Sequence, residues 1–293
     1  MDSAMLLRSY LLGSLLCFAL VACDPSFSDA INKGQVNHRQ IPEASGLAAS
    51  RRHPNILYTH NDKGGQNRIF ALNATNSHIQ ATFTISGATN KDWEDVAVGT
   101  CGQETRLYIG DIGDGGPEPH TIYRVKEPAE IRDQTLQVDS KLLYEFSDED
   151  SETLMIDPNE ELYIASKTDD EPSWIAHVPT SGNWGTGNVV NVQRQANFTR
   201  YTSKKNPVGG DISPDGTEML IKFKEWVLYY KLAPGESYVD AVKREPLVLP
   251  YHPEPRGESV CWSHDANGYF TLSEGKKADQ PLYFYRRESA THD

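Results

Sequence analysis

Cysteine is scarce in this sequence, with four in 293 residues, and Cys17 and Cys23 fall at its N-terminal end. Only Cys101 and Cys261 remain for the body of the chain. Two cysteines cannot make a disulfide framework; they could pair with each other or stay as buried thiols, and neither has a recognisable histidine partner for nucleophilic work. Positive charge is also short. Lys and Arg number 28 against 41 Asp and Glu, a net charge of −13, which disfavours nucleic acid as a partner because phosphates are met by a basic face. Long apolar runs are missing except for Tyr10 to Ala22, which is too short to span a bilayer. No long segment has helical periodicity. The catalytic motifs are absent too: no Gly-x-Ser-x-Gly elbow, His-Glu-x-x-His zinc helix, Walker loop, dinucleotide glycine motif or EF-hand. Asp111-Ile-Gly-Asp-Gly-Gly lacks EF-hand spacing, and Asp148-Glu-Asp-Ser-Glu lacks the glycine turn.

The apolar run follows Arg8 and gives way to polar sequence at Asp24, the pattern of a secretory signal peptide. Residues 1–30 read as signal peptide and linker. Leu20-Val21-Ala22-Cys23 resembles the lipobox of bacterial lipoproteins, which implies a lipid on Cys23; cleavage after Cys23 or Ala30 would instead release a soluble protein. Both routes place the body outside the cytoplasm, secreted or, in a bacterium, lipid-anchored at Cys23, with that lipid as its only membrane contact.

With 22 Gly, 17 Pro and 14 Tyr, 9 Phe and 5 Trp, the body has the turn formers and large apolar side chains of a folded β protein. It is a repeat. Acidic residues open short apolar segments at Glu43, Glu94, Glu152, Asp211 and Glu258, spaced by 47 to 59 residues. Second segments start at Leu57, Leu107, Leu162, Met219 and Tyr269 with spacings of 50 to 57. Breakers such as Asp157-Pro-Asn and Pro214-Asp-Gly separate the two series. Third strands follow, then fourth strands near Ile79–Ile85, Leu136–Phe146, Val189–Phe198 and Tyr238–Leu249. The last unit runs out of chain, so Val36–Ile41 is expected to supply its fourth strand. Four strands per unit with a strand exchanged between the termini point to an all-β fold, a five-bladed β-propeller over residues 36–288. A sixth, irregular blade could lie in the longer repeats.

Inner strands of such a fold start at one mouth of a central channel. Glu43, Ser45, Glu94, Glu152, Asp211 and Glu258 would ring that mouth. Second-strand ends would add His60 and Asp114 to the mouth, and Asn61, Asp62, Asp111, Lys167, Lys222, Lys224 and Glu274 as ligand-binding candidates. Carboxylates crowded at close range need a balancing charge. That charge could be a hard cation, best Ca²⁺, whose six to eight flexible oxygen positions suit carboxylates and hydroxyls from several strands. The acids could equally tie neighbouring blades through backbone hydrogen bonds or pair with Lys and Arg.

Lys91-Asp-Trp-Glu-Asp-Val-Ala-Val-Gly followed by Leu107-Tyr-Ile-Gly-Asp-Ile-Gly-Asp resembles the signature of a family of exported β-propellers, bacterial and animal, of no settled activity. Ser45-Gly-Leu-Ala-Ala-Ser, Tyr58-Thr-His-Asn-Asp, Ile122-Tyr-Arg-Val and Gly257-Glu-Ser-Val extend the match over most of residues 43–287. Gly115 stands where that family usually has Asn. More distantly, the five-fold pattern is similar to calcium-dependent apyrases, without their long motifs. Two functions follow: a monomeric module that binds a small-molecule or other extracellular ligand at a Ca²⁺-bearing mouth, or a Ca²⁺-dependent phosphohydrolase of nucleotides or phosphate esters. In the second, Lys167, Lys222 and Lys224 would bind phosphate, and Glu94, Asp95 or His60 would be the candidate base.

Overall fold

Short apolar runs bounded by Gly, Pro, Asn and Asp become antiparallel strands, because each run is long enough for one crossing of a sheet and each boundary favours a turn. The computed structural model describes residues 24–114, 119–146, 150–168, 172–198 and 206–289. The apolar N-terminal segment with Cys23, Gly115, and Asp148 with Glu149 lie outside these residues.

Strand β1 (Ile31–Val36) precedes a meander of β2 (Ala44–Ala49), β3 (Ile56–Asn61), β4 (Arg68–Asn73) and β5 (Ile79–Ser86). A second meander has β6 (Trp93–Cys101), β7 (Glu104–Asp111), β8 (His120–Lys126) and β9 (Gln134–Glu145). The third contains β10 (Ser151–Ile156), β11 (Leu162–Ser166) and β12 (Trp174–Val178), followed by β13 (Val189–Asn191) and β14 (Ala196–Asn197). The fourth contains β15 (Pro207–Ile212), β16 (Glu218–Phe223), β17 (Trp226–Lys231), one helical turn α1 (Tyr238–Ala241) and β18 (Leu247–Leu249). Strands β19 (Gly257–Trp262), β20 (Gly268–Ser273) and β21 (Gln280–Arg286) finish the chain's regular structure. The protein is therefore all-β, with α1 the single helical turn among the described residues.

Strand β1 pairs antiparallel with β21 and completes the last sheet in the order β1-β21-β20-β19. The N-terminal strand that closes this sheet is thus Ile31–Val36 rather than 36–41. Residues after Val36 form a turn: Asn37 O accepts from the N–H groups of Gln40 and Ile41, and the Asp279 carboxylate accepts from His38 N at 2.8 Å. Packing extends still further back, because Phe27 is buried against Trp262 and Tyr269. The expected strand at Val189–Phe198 is also divided. Its first part, β13, lies parallel to β9 of the preceding sheet, and only β14 pairs with β12. Within Tyr238–Leu249, Ser237 Oγ accepts from Asp240 N at 3.0 Å and caps α1, so that only Leu247–Leu249 reaches the sheet.

The first strands of the units pack side by side: β2 on β6, β6 on β10, β10 on β15, β15 on β19 and β19 on β2. That sequence of contacts closes a ring. Apolar clusters fill the interfaces between successive sheets. Ile69 and Phe83 meet Trp93 and Tyr123; Tyr108 meets Trp174; Ile175 meets Met219 and Leu228; Tyr229 meets Trp262; Phe270 and Leu282 meet Leu47 and Leu72. Truncating one such buried aromatic costs about 3–5 kcal/mol. Cys261 is a free thiol in this packing, and Cys101, at the end of β6, is free as well.

Polar side chains tie the inner strands to one another. Ser45 Oγ donates to Glu94 O at 2.7 Å, linking β2 to β6. Asp95 Oδ2 accepts from Leu154 N at 2.9 Å and so links β6 to β10. Asp211 Oδ2 accepts from Trp262 N at 2.9 Å, linking β15 to β19. Close approach also needs Gly46, whose φ is +65° and whose added Cβ would lie 2.8 Å from Val96 N. Replacing Asp95 by Ala would leave the buried Leu154 N–H without an acceptor. The expected loss is about 1–3 kcal/mol of unfolding free energy in urea denaturation, and an unchanged midpoint would show that this tie does not hold the ring.

Candidate functional site

Four of the five inner strands are preceded by a residue whose carbonyl accepts a backbone hydrogen bond from the chain leaving the second strand. Glu43 O accepts from Asp62 N, Asp92 O from Gly113 N, Asp150 O from Lys167 N and Arg256 O from Glu274 N. This recurring bond sets the mouth. Just inside it, the strand register shifts between Trp93 and Asp95, Ser151 and Thr153, Pro207 and Gly209, and Gly257 and Ser259. The residues at the shifts are Glu94, Glu152, Val208 and Glu258, so three of the four carry a carboxylate at one level.

Most mouth acids are neutralised by cations. Glu43 pairs with Lys276 at 2.7 Å, and Lys276 also lies 3.9 Å from Glu274. Glu274 pairs with Arg256 at 2.9 Å. Lys167 is bonded to Glu152 and lies 3.1 Å from Asp150. Lys224 pairs with Glu258 at 3.5 Å. Lys167 and Lys224, expected as ligand-binding residues, are each engaged with a mouth carboxylate.

Asp62, Asp92 and Glu94 make the exception. One carboxylate oxygen from each lies within 4.8 Å of the others. Lys63 bonds to Asp92 at 2.8 Å, and its ammonium also reaches Asp114 O at 2.9 Å. Glu94, only 8% exposed, has neither a cation nor a hydrogen-bond donor on its carboxylate among the described residues. Burial raises the Glu94 carboxyl well above its ordinary range, and Glu152, Asp62 and Asp92 add to the rise. Burial lifts Asp62 to about 6, against the bond from Lys63 N and with the help of Asp92. Asp111 holds the cluster from behind, accepting from Asp92 N at 2.8 Å and from Tyr123 Oη at 3.4 Å. Gly113 gives the carboxylates room: a Cβ there would stand 2.4 Å from Glu94 Oε1 and 2.7 Å from Asp92 Cγ. Asn61 braces the neighbouring turn, accepting from Glu43 N at 3.1 Å and donating to Gln40 O at 3.0 Å.

Four expected mouth residues do not reach the mouth. Asp211 lies deeper, because its strand starts at Pro207 and the mouth position there is Val208. Its carboxylate serves the β15–β19 tie. Lys222 is fully buried, with its ammonium 4.0 Å from the Tyr251 ring centroid and donating to Phe223 O at 2.5 Å and Gly257 O at 3.3 Å; burial lowers it to about 8. His60, fully buried with its ring edge-on to Trp93, is pushed down to about 4 by burial. Asp95 is sealed in its strand tie. Neither His60 nor Asp95 can act as a base on a ligand at the mouth. Conversely, Asp92, Lys63 and Lys276 were missed as site residues. Asp92 stood within the Lys91-Asp-Trp-Glu-Asp signature, in the place Glu43 occupies before the first inner strand.

A scan against protein-family models finds no match, and a search of curated proteins finds none. Among solved structures, the chain is similar to the PQQ-bound aldose sugar dehydrogenase of Streptomyces coelicolor, with a TM-score of 0.50 and 9% identity, over 90% of this chain and 99% of that one. The fold is β-propeller-like. Hydrazine synthase of Kuenenia stuttgartiensis matches at a TM-score of 0.43 and 11% identity, over 85% of this chain and 96% of that one.

Asp211 carries a pH dependence. Burial raises its carboxyl to about 6, against the attraction of Arg51 and the backbone bonds. A raised acid binds its proton more tightly in the folded state, so this group lowers stability as pH rises from about 4 to about 6 and has no effect below the unfolded value. The loss is on the order of 2 to 3 kcal/mol. Asp211→Asn keeps an acceptor for Trp262 N without the charge. Its unfolding free energy, measured from pH 4 to pH 7, should lose that decline relative to the parent; parallel curves would refute the assignment.

Proposed function

We propose that the protein is an exported, monomeric five-bladed β-propeller whose mouth holds a calcium ion on Asp62, Asp92 and Glu94 and presents it to an extracellular ligand. One observation carries the reading: the buried Glu94 carboxylate stands against two others, and among the described residues Lys63, bonded to Asp92, is the lysine seen on the three. Unbalanced carboxylates at this separation repel one another, and a hard divalent cation relieves that repulsion while accepting oxygen ligands from several strands at once. Three carboxylates leave further positions to water or to oxygens of the bound molecule.

The closed order of inner strands and the apolar clusters between successive sheets support five blades. Placement of Asp92, Glu94 and Asp111 within the Lys91-Asp-Trp-Glu-Asp and Gly110-Asp stretches supports kinship with the exported propellers that share those stretches. The apolar run after Arg8 supports export. Binding is favoured over phosphate-ester hydrolysis because the lysines that would hold a phosphate are paired or sealed: Lys167 with Glu152, Lys224 with Glu258, and Lys222 beneath the surface.

The test is the melting temperature of chelator-treated protein with and without excess Ca²⁺. Ca²⁺ is expected to raise it by several degrees through preferential binding to the folded state, and Asp62→Asn with Glu94→Gln should abolish the rise. ADP incubated with the Ca²⁺-loaded protein should release no phosphate above the blank. A melting curve indifferent to Ca²⁺ would end the metal assignment, and phosphate release lost in the double variant would replace the binding role with hydrolysis.

A further inference from the structure

At the end of the ring opposite the carboxylate mouth, where the β2–β3 and β19–β20 turns meet, a cleft of about 370 Å³ opens between the first and last sheets. Its volume falls in the range of small-molecule sites, which span roughly 300–1,000 Å³. Leu57, Ala74, Phe270 and Phe284 supply apolar lining. Phe270 and Phe284 pack with ring centroids 4.7 Å apart, giving the cleft an aromatic wall.

The charge around this wall runs against that of the chain. Lys33 and Arg286 both line the cleft, and neither has a carboxylate partner among the described residues. The Lys33 ammonium sits 4.9 Å from the centre of the Phe284 ring. The one acid in the lining, Asp265, is already occupied: its carboxylate accepts from Ser263 Oγ at 2.8 Å, Asn267 N at 3.1 Å and Asn267 Nδ2 at 2.8 Å. His264 is held by Ser50 O at 2.7 Å through Nδ1, which leaves its other ring nitrogen uncommitted. An apolar pocket edged by Lys33 and Arg286 against the single, already hydrogen-bonded carboxylate of Asp265 keeps a net positive edge on a chain of net charge −13, and is complementary to a molecule with a flat apolar body and one negative group.

We propose that this cleft is a binding site for small organic anions of that kind, with the ring or chain against Phe270 and Phe284 and the anionic group between Lys33 and Arg286. The Lys33 and Arg286 heads give preference for an anion over its neutral analogue, and the aromatic wall gives preference for an apolar anion over phosphate or chloride.

The probe is 8-anilinonaphthalene-1-sulfonate, titrated into the full chain by fluorescence and calorimetry, with N-phenyl-1-naphthylamine as its uncharged counterpart. The sulfonate is expected to bind once per chain and at least tenfold more tightly than the neutral amine. Lys33→Glu with Arg286→Glu should weaken the sulfonate at least tenfold and leave the amine within twofold. Asn55→Trp, at the cleft's edge, should weaken both. Melting curves establish that each variant is folded. Chelator should change none of these affinities, which separates this site from the carboxylate mouth. Equal binding of the two probes, sulfonate binding unaffected by the charge reversal in a folded variant, or no saturable binding would each overturn the proposal.

Discussion

A ring of sheets leaves one edge of every inner strand facing its neighbour without a ladder of its own, and the buried backbone groups on that edge must still find partners. Short polar side chains provide them here. Ser45, Asp95 and Asp211 each reach across to the backbone of the next inner strand. Removing such a carboxylate would strand a buried donor; keeping it means holding an acid where burial favours the neutral form. Both Asp95 and Asp211 are raised for that reason, with burial the leading cause. Their place on the ring is a structural necessity and would exist in a protein that bound nothing.

The mouth follows a different rule. Its acids stand outside the inner-strand ties: Glu43 and Asp92 just before an inner strand, Glu94, Glu152 and Glu258 at a register shift just inside one, and Asp62 and Glu274 just past a second strand. Glu43, Glu152, Glu258 and Glu274 are balanced by nearby Lys or Arg. Partly exposed pairs of this sort contribute little to stability, about 0 to 1 kcal/mol each, so their main effect is to cancel charge. Among the described residues, cancellation is incomplete where Asp62, Asp92 and Glu94 converge on the single Lys63 ammonium, and there Gly113 opens space where any other side chain would fill it. The contrast between balanced and unbalanced acids separates a candidate site from a merely acidic rim.

Much of the architecture was legible because each turn and strand repeats at a nearly constant spacing. Leu57, Leu107, Leu162, Met219 and Tyr269 lie in the second strands as their spacing implied. Asp211 misled because β15 reads Pro-Val-Gly-Gly-Asp-Ile: two glycines carry no apolar signal, so the strand seemed to begin at the acid that lies near its end. The division of residues 189–198 was hidden for another reason. Val189–Asn191 pairs in parallel with the preceding sheet, a tertiary choice that local pattern does not record. At the mouth, sequence located Glu94 and Asp62 but not the balance of charge around them. Lys276 lies far along the chain from Glu43, and nothing in a linear pattern tells which lysine reaches which acid.

The two ends of the ring therefore have different local character, with surplus carboxylate at the inner-strand starts and, at the opposite end, a cleft lined by Lys33 of β1 and Arg286 of β21, which have no carboxylate partner among the described residues. An inner strand of six residues, such as β19, separates them by about 20 Å at a rise of about 3.3 Å per residue. Exposed charges are screened over about 8 Å at physiological ionic strength. A cation gained or lost at one end would then be nearly invisible to an anion at the other through solvent. Screening alone therefore lets the ring carry two chemically different ends without direct electrostatic interference between them.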